Sequence, residues 1–252
     1  QEEVDAGGAM AVLQRQLLRQ SRRGDLPAGA VGRLLGEELA HDLEQSLQRY
    51  LALAAQYADA LPPQGLCLQH AGTELVGEIG GLRRSAEGAH ALLRWSASKI
   101  GRGKNIEWTK VWPYWIEHLA LHADGWTVST HLLGRDNSDI LLAPMDPAWA
   151  RAHLAELVDL ALEARRRPLP LLLPLLAAAW QGDAEGPIDL QFVRRQHADL
   201  VQKDEEVRRV WPQPPLADDA AELTELCRRF LRPLQDAVER GAELRKQGDG
   251  KA

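Results

Sequence analysis

One β-rich stretch, Leu75–Ser98, most constrains what this 252-residue chain can fold into. Its apolar residues lie on either side of a turn that contains serine and glycine, which favours two extended strands. Glycines within the stretch are typical of a bulge or a break in a strand. Together with the alternating residues that precede it, the stretch predicts three antiparallel strands, near 65–70, 73–83 and 89–97. The fold must therefore contain a sheet.

The segments on both sides show the three- and four-residue spacing of apolar residues that is typical of helices. A long helix is predicted from about 30 to 60, and Asp146 followed by Pro147 is typical of a helix start. That second helix is predicted to bury Trp149, Ala152, Leu157, Val158 and Ala161. The other predicted elements are a helix near 10–20, a Trp-rich helix that contains Pro113 and ends near 121, a hairpin of 126–133 and 139–142, a strand at 169–173, and helices near 174–181, 189–205 and 217–239. Helices around a small mixed sheet predict an α/β fold, on the borderline with α+β.

The length of the chain accommodates one large hydrophobic core, so we predict a single domain over residues 1–252. The initial Gln1, in place of Met, leads us to expect part of a longer chain. The predicted subdivision is a helical lead-in at 1–62, a sheet-rich core at 63–145, a helical remainder at 146–243 and a disordered tail at 244–252.

The composition is that of an ordinary globular protein, with 45% hydrophobic and 26% charged residues. No uninterrupted run of about 18 apolar residues occurs, so no membrane span is expected. The N-terminal residues do not show the pattern of a secretory signal. Two widely separated cysteines favour a reducing compartment over a disulfide framework, and we expect a cytoplasmic location.

Three patterns invite a metal or phosphate interpretation that their context does not support. His118 and His122 have the spacing of a helical metal pair, but no third ligand accompanies them, so we interpret them as a helix-surface or aromatic-packing pair. The GRGKN stretch at 101–105 lacks the spacing of a phosphate-binding loop. Asp136 and Asp139 are interpreted as turn formers. No cofactor is therefore expected in this domain.

A local basic patch contrasts with the net charge of −6 of the whole chain. Between residues 83 and 110 there are seven basic residues and only two acids. The candidate DNA-binding residues of this patch are Arg83, Arg84, Arg94, Lys99, Arg102, Lys104 and Lys110. Such a patch suits DNA phosphates, which attract lysine and arginine without sequence preference. A solvated face, or a surface for an acidic partner, explains the same charges equally well.

Seven short stretches, taken in chain order, resemble the C-terminal domain of RecC, the gamma chain of bacterial exodeoxyribonuclease V. They are LPAGAVGRLLGEEL (26–39), LVGEIGGL (75–82), ALLRWSAS (91–98), WIEHLALHA (115–123), RRPLPLLLP (166–174), EEVRRVWPQ (205–213) and LCRRFLRPL (226–234). Together they extend over nearly the whole chain, and their order carries the resemblance.

The resemblance implies a restriction-endonuclease-like (PD-(D/E)XK) fold with a degenerate active site. In active relatives, a Gly-x-Ile-Asp strand and an Asp-x-Lys strand supply the metal ligands and an activating lysine, and an upstream helix supplies a histidine. Here Gly80 stands at the first aspartate position and Arg94 at the second. Ser96 stands in place of the lysine, and Arg33 lies about where the histidine would be. We therefore expect no catalytic residue and no metal in this domain.

The resemblance also implies partners: a RecB-like beta chain, a RecD-like alpha chain, and duplex or forked DNA. ATP and Mg²⁺ are implied only for the partner subunits. The expected role is structural and DNA-guiding, in recombinational repair of double-strand breaks. Two alternatives remain open: an active metal-dependent DNA nuclease of the same fold, in which Glu74 and Glu78 rescue the site, and a subunit-docking module without DNA contact.

Overall fold

The structure is a computed structural model, and it describes the following part of the chain. These are residues 15, 18, 19, 22, 23, 27, 29–96, 98–101, 106–135, 138–167, 169, 172–180, 190–213 and 220–249. Most of the predicted helix near 10–20 lies outside this set, as do Arg102, Lys104 and Asp136.

Helices surround two groups of strands in the described part of the chain. The elements are α1 (Ala30–Gln56), β1 (Asp59–Ala60), β2 (Gln64–His70), β3 (Thr73–Ile79), β4 (Leu82–Arg84), β5 (His90–Ser96), α2 (Trp108–Ala123), β6 (Val128–Gly134), β7 (Asp139–Leu142), α3 (Pro147–Ala164), α4 (Leu173–Ala179), α5 (Leu190–Lys203), α6 (Glu205–Val210) and α7 (Ala220–Asp249). None of the described helices has the length and apolar character that a membrane crossing requires.

The main sheet is mixed and has five strands in the order β1-β4-β5-β6-β7. Its pairs are antiparallel except for β5 and β6, which are parallel. Parallel neighbours need a crossover connection, and α2 supplies it. The α/β prediction is thus confirmed at the level of a mixed sheet flanked by helices.

The predicted antiparallel pairing is confirmed, β2 with β3 and β4 with β5, but the prediction of three continuous strands was wrong. The predicted strand at 73–83 breaks at Gly80 and Gly81 into β3 and β4, which belong to different sheets. Gly81 has a φ of 80°, a conformation that glycine adopts without the steric cost of a side chain. Strands β2 and β3 form a separate hairpin with a regular antiparallel register.

Helices cover both faces of the main sheet, and the alternation of β5 side chains shows which residue faces which helix. Trp95 donates a hydrogen bond from Nε1 to Ser46 of α1, at 3.1 Å. Arg94, its neighbour, points to the opposite face and contacts Glu117 of α2. Helix α7 lies along the edge strand β7, where the Ala143 amide donates to the Ala237 carbonyl.

The largest cluster of buried apolar side chains joins α2 to the sheet and to the C-terminal helices. Trp115, Leu119, Leu132, Leu231 and Leu234 are all fully buried within it. A second cluster holds the β2–β3 hairpin against α2 and α3. Each buried leucine contributes about 1.5–3 kcal/mol relative to an exposed one.

The burial predicted for α3 was partly wrong. Trp149, Ala152 and Ala161 are exposed, and Leu157 and Val158 are only partly buried. The residues of this helix that reach the core are Ala150, His153 and Leu154. Packing of α3 against α2 selects this face, and Trp149 instead stacks at the surface on His153, with ring centroids 5.0 Å apart.

Two further predictions for the C-terminal half are corrected. Leu169 and Leu172 are not in a strand, because helix α4 starts at Leu173 with a proline in its first turn, which suits a helix start. The predicted tail at 244–252 begins inside α7, which runs to Asp249. Arg245 anchors this end by donating to the backbone carbonyl and to the carboxylate of Asp139 on β7. The other boundaries of the predicted subdivision stay predictions.

Candidate functional site

The candidate site is built around the side chain of Arg94 in the middle of β5. Its Nε donates to a carboxylate oxygen of Glu117 at 2.7 Å, and its Nη1 donates to the backbone carbonyl of Gly80 at 2.8 Å. The exposed fraction is 18% for the Arg94 side chain and 34% for that of Glu117. The guanidinium therefore joins the end of the β2–β3 hairpin to α2 from a partly buried position.

The two glycines beside this guanidinium have different steric surroundings. A Cβ atom at Gly81 would lie 2.5 Å from Nη1 of Arg94, so glycine is required there as long as the arginine holds its place. A Cβ atom at Gly80 would meet only Pro63 side-chain atoms, at 3.8 and 3.9 Å. Space therefore does not explain the lack of a carboxylate at position 80.

The residues at these positions do not fit a divalent metal ion. Gly80 offers only its carbonyl oxygen, which Arg94 already occupies, and Arg94 itself carries a positive charge that repels a cation. Ser96 accepts a hydrogen bond from the Ser98 amide at 3.2 Å. Within the described residues, no group of three or more histidine, cysteine, aspartate or glutamate side chains is placed to hold a metal ion.

Arg33 does not join this site. It is exposed near the start of α1, thirteen residues before Ser46, which corresponds to about 20 Å along the helix. Ser46 in turn contacts Trp95 on the sheet face opposite to Arg94. The structure thus brings Gly80 and Arg94 together, whereas Arg33 belongs to a helix that packs on the opposite face of the sheet.

Glu74 and Glu78 do not converge on one ion either. The register of β3 with β2 is regular, so both side chains lie on the same face of the strand, about 13 Å apart. Both are exposed, and Glu74 accepts a hydrogen bond from Gln69 at 2.8 Å. The rescue of a metal site by this pair therefore finds no support in the geometry.

The basic patch offers fewer free charges than the sequence predicts, because several of its guanidinium groups form hydrogen bonds or ion pairs within the protein. Arg83 donates to the carbonyls of Tyr57 and Ala58 at the end of α1, at 2.6 and 3.1 Å. Arg84 forms an ion pair with Asp59 on the neighbouring strand β1. Such contacts stabilise the sheet edge and reduce the charge offered to a ligand.

Lys99 and Lys110 are the exposed lysines of the patch that the structure describes. Nζ of Lys110 donates to the backbone carbonyl of Lys99 at 3.1 Å, so the two residues are adjacent at the loop that leads from β5 to α2. Arg102 and Lys104 belong to the same loop by sequence but lie outside the described residues. Binding of DNA by these residues stays a prediction.

The histidine pair of α2 is a buried, hydrogen-bonded part of the core. The Ala143 carbonyl accepts from Nε2 of His118 at 3.1 Å, which leaves Nδ1 to accept from the Thr130 hydroxyl at 2.8 Å. His122 donates from Nδ1 to the His118 carbonyl at 2.8 Å. Burial lowers the pKa of His118 to about 3. Both ring nitrogens of His118 are thus engaged within the protein, in agreement with the packing interpretation.

Glu117 is the residue of the site that sequence reasoning missed. It is an ordinary acid on a predicted helix, and its spacing from Arg94 carries no local signal, since 23 residues separate the partners. Glu117 directly precedes His118, but the burial of His118 that places Glu117 beside a core position is known only from the structure.

Comparison with known proteins identifies a family and a relative. The family described as the RecC C-terminal domain matches residues 5–184. The RecBCD enzyme subunit RecC of Escherichia coli (strain K12) is 26% identical over 241 residues, an alignment that covers 87% of this chain and 20% of that protein. The chain thus spans about a fifth of the length of this relative. The family match confirms the resemblance found in the sequence, and the chain belongs to the RecC C-terminal domain family.

Proposed function

We propose that this chain is a non-catalytic, structural and DNA-guiding domain of a RecC-like subunit of exodeoxyribonuclease V. The proposal includes a restriction-endonuclease-like fold that has lost its nuclease chemistry. A mixed sheet with helices on both faces supports that fold assignment.

The observation that carries the proposal is the position of the Arg94 guanidinium. Hydrolysis of a phosphodiester by a metal-dependent nuclease needs carboxylates that concentrate divalent cations at the scissile phosphate. Here a guanidinium lies between the Gly80 carbonyl and the Glu117 carboxylate. A fixed positive charge in this place excludes a second cation and neutralises the nearby acid. The site is therefore suited to architecture and not to hydrolysis.

The DNA-guiding part of the proposal rests on the exposed lysines beside this site. Lysine binds phosphates as a point charge, and each phosphate contact releases counterions from the DNA. Lys99 and Lys110 are exposed and adjacent, next to a loop whose sequence adds Arg102 and Lys104. Because the whole chain has a net charge of −6, contact with DNA needs a local basic surface such as this one.

The proposed partners follow from the family. The relative's name, RecBCD enzyme subunit RecC, is that of one component of a larger enzyme. We extend this to a RecB-like and a RecD-like subunit for the present chain, with ATP and Mg²⁺ used by those subunits. The process served is recombinational repair of double-strand breaks, in the cytoplasm.

Binding to forked DNA over a series of salt concentrations tests the DNA-guiding role. The variants Lys99→Glu and Lys110→Glu are expected to weaken binding and to lower the slope of log affinity against log salt by about one per lost phosphate contact. The matched control is Arg209→Glu, a charge reversal at an exposed position of α6 outside the patch. If the control and the patch variants behave alike, the lysines do not guide DNA.

A subunit-docking module without DNA contact is the second candidate, and one observation favours it. The guanidinium groups of Arg83, Arg84 and Arg94 are all engaged within the protein, which leaves little charge for phosphates. Val31 and Leu34 are meanwhile exposed on α1. Binding to forked DNA that is absent or independent of salt decides for docking.

Cleavage of a labelled DNA end in Mg²⁺ or Mn²⁺, lost in Glu78→Gln, would establish a nuclease instead.

A further inference from the structure

We propose that Glu117 and the Gly80 carbonyl form a cation-binding site whose resident cation is the guanidinium of Arg94, and that this site accepts a free guanidinium-type cation once the Arg94 side chain is removed. The proposal is independent of DNA guidance, because it concerns what the site binds and not what the surface contacts.

The acceptors of the site come from two elements that are distant in sequence. The Gly80 carbonyl ends the hairpin segment, and the Glu117 carboxylate projects from α2. Both are oxygen acceptors, one with a full negative charge, and neither has a proton to donate. Acceptors of this kind, arranged around one point in a partly buried position, favour a small cation with N–H groups.

The backbone is shaped around the guanidinium as well as bonded to it. Gly81 has a φ of 80° and no side chain, and a Cβ atom there would occupy the space 2.5 Å from Nη1 of Arg94. The Leu93 amide donates to the Gly81 carbonyl at 3.2 Å, so Gly81 is held to β5 at the residue before the arginine. Removal of the side chain therefore leaves a defined space with its acceptors still held in place.

The variant Arg94→Ala vacates this space and leaves the Glu117 carboxylate without its cation. A free alkylguanidinium has the planar donors needed to restore both hydrogen bonds. We use ethylguanidinium as the probe at millimolar concentration, far below denaturing levels. A ligand that binds only the folded state raises its melting temperature.

Thermal unfolding of the whole chain measures the effect. Arg94→Ala is expected to melt about 4 °C or more below the wild type, and ethylguanidinium should recover a substantial part of this loss. The probe should not raise the melting temperature of the wild type, whose site is filled. The matched control is Arg84→Ala. Arg84 lies on the neighbouring strand, and its side chain pairs with half-exposed Asp59. Ethylguanidinium should not raise the melting temperature of this variant.

The double variant Arg94→Ala/Glu117→Gln separates binding at the site from general effects of the probe. It lacks the carboxylate, so recovery should disappear. Recovery that persists in the double variant, or that is equal in Arg84→Ala, overturns the proposal. So does a folded Arg94→Ala variant whose melting temperature does not respond to the probe.

If Arg94→Ala does not fold, folding of that variant on addition of ethylguanidinium supports the proposal. Arg94→Lys provides a second measurement, because an ammonium keeps the charge but lacks the planar fork that reaches both acceptors. An intermediate melting temperature is expected for it. A melting temperature equal to that of the wild type contradicts a site built for a guanidinium.

A second carboxylate should convert the preference of the same site from guanidinium to metal. The position of Gly80 has room for a side chain, since only Pro63 atoms lie near a Cβ there, at 3.8 Å or more. In Arg94→Ala/Gly80→Asp, calorimetry with Mn²⁺ should show binding at least about tenfold tighter than in Arg94→Ala alone. Equal affinity in the two variants contradicts a cation site bounded by residue 80. These stability and metal readouts do not depend on DNA, so their failure leaves the proposed function to its own test.

Discussion

Arg94 and Glu117 connect strand β5 to helix α2 through a hydrogen-bonded ion pair in which Nε lies 2.7 Å from the carboxylate. The arginine also reaches the Gly80 carbonyl, so three segments of the chain meet at one guanidinium. This arrangement makes the charge of Arg94 a part of the architecture.

Replacement of Glu117 by glutamine should lower the free energy of unfolding by about 1–2 kcal/mol, because a mostly buried guanidinium loses its charged partner and solvent screening is incomplete. Urea unfolding measures the change. The control Glu225→Gln breaks an exposed helical pair with Arg228 and should have little effect. A similar loss in both variants would show that the Arg94 pair is an ordinary surface contact.

Stability should fall as the pH is lowered from about 6.5 to about 4, because buried histidines resist protonation in the folded state. Burial lowers the pKa of His118 to about 3 and that of His131 to about 4. The unfolded chain, in which histidine has its usual pKa near 6.5, takes up these protons first, so acid favours unfolding. The slope is about 1.4 kcal/mol per pH unit for each histidine in this window.

His131→Leu should flatten this pH dependence. Among the described residues neither ring nitrogen of His131 has a hydrogen-bond partner, so the substitution sacrifices no polar contact and should raise the free energy of unfolding at pH 5 by about 2 kcal/mol. At pH 7.5 the change should be small. The control is exposed His41→Leu. A pH profile for His131→Leu that parallels the wild type contradicts the assignment.

His118→Leu should also reduce the uptake of protons on unfolding in acid, but it should lower the free energy of unfolding at every pH. Its ring contacts the Thr130 hydroxyl and the Ala143 carbonyl, and both would be left buried without it, at a cost of about 1–3 kcal/mol. Unfolding at pH 7.5 therefore distinguishes the two histidines. Equal stability of His118→Leu and His131→Leu at that pH would rule out a structural role for the His118 hydrogen bonds.

Gly81→Ala should be more destabilising than Gly88→Ala, although both glycines have a positive φ. Nothing lies within 4 Å of a Cβ at Gly88, so that variant reports the backbone cost alone, about 1–2 kcal/mol. At Gly81 the added methyl group also meets Nη1 of Arg94. Urea unfolding measures how much more Gly81→Ala destabilises the protein than Gly88→Ala does. This excess should shrink when Gly81→Ala is made in the Arg94→Ala background. An excess that is unchanged in that double variant places the clash elsewhere.

Asp146→Ala should cost about 1 kcal/mol of stability, because the carboxylate accepts a hydrogen bond from the Trp149 amide at 2.7 Å and caps α3. Asp204 caps the short helix α6 in a similar way, but that helix has no buried residue, so Asp204→Ala should cost less. Thermal unfolding of the two variants gives the comparison. A larger loss for Asp204→Ala would show that α6 is more important to the fold than its exposure indicates.

Features that depend on neighbours in sequence were predicted from the residues. The start of α1, the Asp146 cap of α3 and the β6–β7 hairpin all follow from periodicity, capping and turn preferences that act over a few residues. Helix α1 ends at Gln56, before the predicted end near residue 60, because residues 59 and 60 pair with strand β4. The break at Gly80 and Gly81 was also visible as a weakness of the predicted strand, although not its consequence for the sheets. The substitution pattern at Gly80, Arg94 and Ser96 came from sequence comparison with a family, and not from local patterns.

Features that depend on segments distant in sequence required the folded structure. The parallel pairing of β5 with β6 arises because α2 crosses between them, and no property of either strand specifies that partner. The exposure of Trp149 depends on which face of α3 packs against α2. The capture of Arg94 by Glu117 and Gly80 depends on three segments meeting at one point. Residue type established that position 94 carries a positive charge, and the packing of the sheet against α2 determined that this charge is held inside the protein, because burial and partners are properties of the assembled chain.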